Sequence, residues 1–249
     1  MSYNWNWSVF LNESPAVGLN YAQYLLQGAA WTLAVAILAL IISLAAGCVV
    51  GVLRTTDNAY LAGCARAYVE IFRNVPLLVQ LFVWYFVFPE LLPTSVGSAI
   101  KQSPNAAFYT AVICLGLYTS PRIAEQLKSG IQSLGRGQRM AGLALGFSSW
   151  QTYRYVILPM AFRIVVPPLT SEFLGIIKNS AVAMTIGLLE LTGAARSMQE
   201  FTFQTFEAFA AATVLYLIIN IVVVGLMHVV EKHSSIPGYT ALRPNAQAT

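Results

Sequence analysis

The sequence predicts an all-α integral membrane protein with five transmembrane helices, and three observations carry that expectation. Of its 249 residues, 57% are hydrophobic and only 10% charged, where a soluble domain carries about 25% charge. Five segments stay apolar over the roughly 20 residues needed to cross about 30 Å of hydrocarbon. Outside them no stretch is long enough for a soluble domain; the longest is a basic, half-polar run from residue 136 to 159.

An extracytoplasmic N-terminal tail is expected over residues 1–20. It has no Lys or Arg and no continuous apolar core, so it lacks the basic start of a secretory signal, and the first span itself is expected to direct insertion. The membrane-embedded region then covers residues 21–230. Its first span runs up to Leu53 and carries Gly47 and Gly51, a G-x-x-x-G pair read as a close helix contact. The second is expected over Val75–Leu92, with Asn74 as its N-cap, Pro76 in its first turn and Arg73 as a cytoplasmic anchor. The third covers Ala106–Leu127, where Pro121 frees a backbone carbonyl and invites a kink. The fourth is the interrupted run Ile164–Leu191 and the fifth is Phe206–Val230, followed by a cytoplasmic tail over 231–249. Cys48, Cys64 and Cys114 show no C-x-x-C spacing and read as small buried hydrophobes; no metal site is expected.

Orientation follows from the cations. Arg54, Arg66, Arg73, Arg122, Lys128, Arg136, Arg139, Arg154, Arg163, Lys232 and Arg243 fall on one side, against Lys101 and Arg196 on the other, with Lys178 inside a span. The positive-inside rule then places the N-terminus outside and the C-terminus in the cytoplasm. Trp5, Trp7 and Phe10 fall at the outer interface, where aromatic belts form. Glu190 and Arg196 read as solvated or lid residues on that outer side.

The run 136–159 therefore faces the cytoplasm. Met140, Ala141, Ala144 and Leu145 share one face of a helical turn and a half. Gly146 suits a left-handed C-cap, and Ser148 or Ser149 can cap a second helix that places Phe147, Trp150, Arg154 and Ile157 near one face and ends at Pro159. Such a pair of basic, amphipathic helices fits either of two roles, an interfacial element on anionic lipid or a docking knob for a soluble partner. Amphipathicity does not separate them. No G-x-x-x-x-G-K-[ST] phosphate loop occurs, so the chain is not expected to hydrolyse ATP alone.

Within "GQRMAGLALGFSSWQTYRYVILP", the residues Gly137, Gln138, Ala141, Gly146, Leu158 and Pro159 match the pattern G-Q-x-E-A-A-x-x-x-G followed by L-P. Met140 stands where that pattern has Glu, and Gly142 where it has the second Ala. The segment resembles the EAA loop of ABC-importer permeases. "FRNVPLLVQ", "SGIQSLGRGQ", "PPLTSEF" and "IIKNSAVAMTIGLLEL" extend the similarity from about Val69 to Leu191, towards permeases for polar amino acids and, among them, the glutamate/aspartate branch. The resemblance implies a type I importer permease fold in a bacterial inner membrane and a coupling helix over 136–159. Its coupling residues would be Gly137, Gln138, Met140, Ala141, Gly146, Phe147, Trp150 and Pro159. The implied partners are two cytoplasmic ATP-binding subunits that hold the ATP and Mg, a second permease chain, identical or a sister, and an external amino acid binding protein. Membrane lipid surrounds the chain; no nucleic acid and no cofactor on the chain itself are expected. An ion-coupled secondary transporter and a non-transporting assembly subunit are the competing readings.

Ionisable groups inside a span are costly and mark function. Lys178 lies ten residues past Pro168, about 15 Å of helix and hence near mid-bilayer. Ser171, Lys178 and Thr185 recur every seven residues, with Glu172 and Asn179 beside the same stripe. A Lys178–Glu172 pair is poorly spaced within one helix, so the stripe is expected to line a cavity or another subunit, with Lys178 a candidate for a substrate carboxylate. Arg122 has Glu125 three residues on as a plain partner; the resemblance to the acidic branch makes it a second anionic recognition point. Gln80, one turn into the second span, completes the candidate pathway residues as an interhelical hydrogen-bonding group.

Overall fold

Helix α1 (Tyr21–Leu53) begins where Asn20 accepts the Gln23 backbone N–H at 2.8 Å and Gln23 bonds back to the Asn20 N–H, a closed capping box. The computed structural model describes residues 3–15, 18–56, 58–134 and 136–234, with the side chain of residue 136 left out. The expected C-terminal tail lies outside the described residues beyond 234, Arg243 included. The named elements are all helical.

After α1, Asn58 accepts the N–H groups of Tyr60 and Leu61 and starts α2 (Ala59–Asn74). The chain bends by 102° into α3 (Leu77–Phe82), which continues through a π turn (Val83–Val87) and a 3-10 turn (Phe88–Leu91). This corrects the expected second span. Asn74 is the last residue of α2 and not an N-cap, and the 15 residues from 77 to 91 reach only about 22 Å, too short to cross alone. The amide of Gln80 clamps the bend: its Nε2 donates to the Phe72 and Val75 carbonyls, both at 2.9 Å. Those are carbonyls that the end of α2 leaves open.

Helix α4 (Thr94–Gln102) leads to α5 (Ala106–Ser133), the most buried long helix. Pro121 lies within it, and the carbonyl its missing N–H would serve, that of Leu117, accepts the Ser120 hydroxyl at 2.9 Å. α5 packs along α1 more extensively than any other helix pair. Gly47 permits that approach: a Cβ there would lie 2.8 Å from Ile123 Cβ and from the Ser120 carbonyl oxygen, and one on Gly51 would lie 3.0 Å from the Ala124 carbonyl oxygen and 3.1 Å from Leu127 Cβ. The G-x-x-x-G pair therefore does what its spacing suggests.

The next elements are α6 (Arg136–Ala144), α7 (Ser149–Thr152), a π turn (Tyr153–Ile157) and α8 (Leu158–Asn179), which runs on as a 3-10 helix to Ile186. α9 (Leu191–Thr202) and α10 (Thr205–Ser234) close the bundle. The main core joins α1, α5, α8, α9 and α10; a second cluster of Leu127, Leu134, Ile157, Ala161 and Val165 fills the other end. Glu190, read from sequence as solvated, is 0% exposed. As N-cap of α9 it accepts the N–H groups of Thr192 and Gly193, the Tyr216 hydroxyl and the Thr32 hydroxyl, so one carboxylate ties α1, α9 and α10. Arg196 is exposed and pairs with Glu200. Cys114 is buried as expected, whereas Cys48 is half-buried and Cys64 exposed, because Cys64 lies on the open face of α2.

Among the described residues three helices, Tyr21–Leu53, Ser149–Ile186 and Thr205–Ser234, are long and apolar enough to cross a membrane, four if the bent α2–α3 pair is one span. α5 has 28 residues, about 42 Å, but is less apolar because protein, not lipid, covers most of it. Large aliphatic side chains such as Ile41, Leu217 and Ile221 are exposed on α1 and α10, as lipid-facing positions require. Gly47→Val is expected to lower stability by about 1–3 kcal/mol through overpacking; a thermal melt in detergent that matches wild type would contradict the close α1–α5 contact.

Candidate functional site

Two places gather the residues singled out by sequence. The first is the elbow formed by α6 and α7. Gly146 turns the chain with φ +82, a left-handed conformation that glycine adopts without strain. Ser148 then caps α7, accepting the Gln151 N–H at 3.2 Å while Gln151 bonds the Ser148 N–H at 2.8 Å. The inner corner is tight. A Cβ on Gly142 would lie 2.6 Å from Thr152 Cγ2, which gives a physical reason for glycine where the EAA pattern has alanine. Gly142 and Thr152 are buried, while Gly137, Met140, Ala141, Leu145, Gly146, Phe147 and Trp150 are exposed and Gln138 is half-exposed. Leu145 and Trp150 are 76% and 64% exposed, so an apolar surface stands open on a basic element.

Pro159 does not end the second helix. α7, the π turn and α8 make one helix from Ser149 to Ile186, and Pro159 lies inside it, just after the π turn. The π turn just before it absorbs the altered bonding. Consequently Trp150 and Ile157 part company: Trp150 is exposed, whereas Ile157 belongs to the buried cluster with Leu127.

The second place is the polar face of α8. Ser171, Lys178 and Thr185 are all exposed along it and Asn179 is half-buried, so the seven-residue stripe is an open face of the chain. Among the described residues Lys178 has no carboxylate partner. Arg122 pairs not with Glu125 but with Glu172 across the α5–α8 contact, at 3.8 Å. It also meets Tyr118, by a 3.0 Å hydrogen bond to the hydroxyl and with its guanidinium 4.9 Å from the ring centre. Gln126 donates to the other Glu172 oxygen at 2.8 Å. Glu125 is taken instead by Arg54, the C-cap of α1, with Arg73 of α2 at 3.5 Å. Sequence reasoning missed Tyr118 and Gln126, although they lie four residues either side of Arg122 on one helix face. Gln80 stands apart from this face, buried at the α2–α3 bend.

Gly142→Ala is expected to cost about 1–3 kcal/mol and to speed proteolysis of the elbow; Thr152→Ala in the same chain should restore resistance. Equal cleavage of wild type and Gly142→Ala would refute the tight corner.

Comparison with known proteins gives a consistent picture. A family model described as "Binding-protein-dependent transport system inner membrane component" matches residues 43–235. The "Glutamate/aspartate import permease protein GltJ" of Escherichia coli (strain K12) is 44% identical over 96% of this chain and 98% of its own length. The "Glutamine transport system permease protein GlnP" of the same strain is 34% identical, over 89% and 95%. A crystal structure of an amino acid ABC transporter with histidines superposes with a TM-score of 0.73 and 28% identity, over 86% of this chain and 95% of that one.

Proposed function

The chain belongs to the family of binding-protein-dependent transport system inner membrane components, and on that premise we propose that it moves acidic amino acids, glutamate and aspartate, inward through alternating access driven by a separate ATPase. As an inner membrane permease of an ABC amino acid importer it is a transport subunit and not an enzyme. The ion-coupled and assembly-only readings lose their ground with that membership.

One observation carries the coupling mechanism. The elbow presents uncovered apolar side chains, Met140, Leu145 and Trp150, at the end of a helix that continues unbroken to Ile186. A partner that grips the elbow therefore pulls on the same helix that bears Lys178. Met140 in place of the family's Glu makes this grip apolar rather than ionic. ATP and Mg belong to two copies of the gripping ATPase subunit, and no cofactor is assigned to this chain. When ATP binding closes that pair, the elbows approach and the two permease halves rock between inward- and outward-facing states.

Five spans serve this scheme: α1, the bent α2–α3 pair, α5, the α7–α8 helix and α10. The cationic asymmetry supports an outside N-terminus and a cytoplasmic C-terminus. The stripe Ser171–Lys178–Thr185 then faces a second permease chain across the pathway, with an external binding protein delivering substrate. Arg122 and Lys178 supply positive charge for the two carboxylates of glutamate, and Glu172 holds Arg122 in the empty state. Similarity to the glutamate/aspartate permease supports this substrate class.

Leu145→Asp is expected to abolish pull-down of the ATPase and ATP-driven uptake in proteoliposomes while leaving the melt unchanged; normal uptake would remove the elbow from coupling. Arg122→Ala should weaken glutamate uptake by about ten- to a hundredfold, the loss of a charge-assisted bond of about 1.5–3 kcal/mol. Wild-type apparent affinity for glutamate would remove Arg122 from the pathway.

A further inference from the structure

The Arg122–Glu172 ion pair is built unlike the others. Arg122, on α5, donates from one amino group to the Tyr118 hydroxyl at 3.0 Å and lies over the Tyr118 ring, 4.9 Å from its centre. Its other amino group meets one Glu172 oxygen at 3.8 Å. The second Glu172 oxygen accepts from Gln126 Nε2 at 2.8 Å. Each member of the pair therefore has a neutral partner of its own, which does not depend on the pair being closed. No other ion pair among the described residues has this arrangement. Arg54 and Arg73 share Glu125, and the pairs Lys101–Glu90 and Arg196–Glu200 stand on the exposed surface.

The two charged groups also differ in access. The Arg122 side chain is 42% exposed and that of Glu172 is 13% exposed, so an anion that reaches this pair meets the guanidinium before the carboxylate. Glu172 and an incoming carboxylate then compete for one arginine. Loss of Arg122 leaves Glu172 as a largely buried carboxylate without its counter-charge, which is a costly state. The hydrogen bond from Gln126 to that carboxylate offsets part of the cost, and exchange can run in both directions.

We propose that Glu172 is a built-in stand-in for the substrate carboxylate, which yields Arg122 to an acidic amino acid on entry and retakes it to expel the substrate. Gln126 and Tyr118 are the positioning residues of this exchange. Gln126 keeps the Glu172 carboxylate aimed at Arg122 while the two are apart, and Tyr118 keeps the guanidinium from following the substrate. The proposal rests on the reading above that acidic amino acids pass Arg122. A cationic site with no competing carboxylate would hold glutamate tightly and release it slowly, and affinity differences of this kind fall mostly on the release rate.

The test is binding of tritiated glutamate to the purified complex, permease chains with ATPase subunits and no external binding protein, alongside uptake in proteoliposomes. Glu172→Gln removes the competing charge and should bind glutamate about tenfold tighter than wild type, with slower turnover in uptake. Gln126→Leu should weaken binding about threefold in the wild-type chain. Combined with Glu172→Gln it should change nothing further, a coupling that a purely structural role of Gln126 does not produce. Tyr118→Phe keeps the ring over the guanidinium, removes the hydroxyl, and should weaken binding about threefold with or without Glu172→Gln. Binding by Glu172→Gln equal to or weaker than wild type overturns the stand-in. Should that variant fail to assemble, Gln126→Leu decides, and unchanged binding overturns the proposal. Wild-type binding by Arg122→Ala refutes the reading on which the proposal rests. Loss of binding in Arg122→Ala without a gain in Glu172→Gln refutes the stand-in alone. No binding by any variant, Glu172→Gln included, refutes both.

Discussion

A polar atom in hydrocarbon has no water to turn to, and each one must find its partner within the protein. That constraint organises the bundle. Glu190 satisfies two helix N–H groups and two hydroxyls, and in doing so fixes three helices at one end. The Gln80 amide donors occupy the carbonyls exposed by the α2–α3 bend, and the Ser120 hydroxyl fills the gap left by Pro121. Glu125 and Glu172 are both held by arginines from neighbouring helices.

Under the proposed function, the same constraint separates scaffold from pathway. Groups bonded within the chain, such as Glu190 and Glu125, hold helices together. Lys178 and Ser171 project instead from an open face of α8, where a charged ammonium is tolerable only beside water, a substrate carboxylate or another chain. Arg122 is tied to Glu172 by a 3.8 Å ion pair, and under the proposed function a substrate carboxylate would compete for that arginine.

The elbow is built for stiffness inside and contact outside. Glycine at 142 lets α6 press on Thr152, the left-handed Gly146 makes the corner, and the capping box of Ser148 and Gln151 starts the second arm. That arm continues through a π turn into α8, the continuity on which the proposed coupling between the surface and the Lys178 face relies.

Composition, apolar runs and the G-x-x-x-G spacing were enough to establish a helical membrane protein, its α1 packing face, the Gly146 corner and the Ser148 cap. These features depend on residues near one another in the chain, where period and turn chemistry are readable. The burial of Glu190 and the choice of Glu172 over Glu125 by Arg122 were decided only when distant helices met, whereas the bend at Gln80 and the continuity past Pro159 rest on a clamp five to eight residues long and on a π turn. Asn74 as a cap and Pro159 as a stop were sound local inferences, overridden where the Gln80 amide caps the end of α2 and a π turn carries the helix past the proline. Partner choice for a charge depends on which helix packs against it, and one-dimensional spacing carries no record of that.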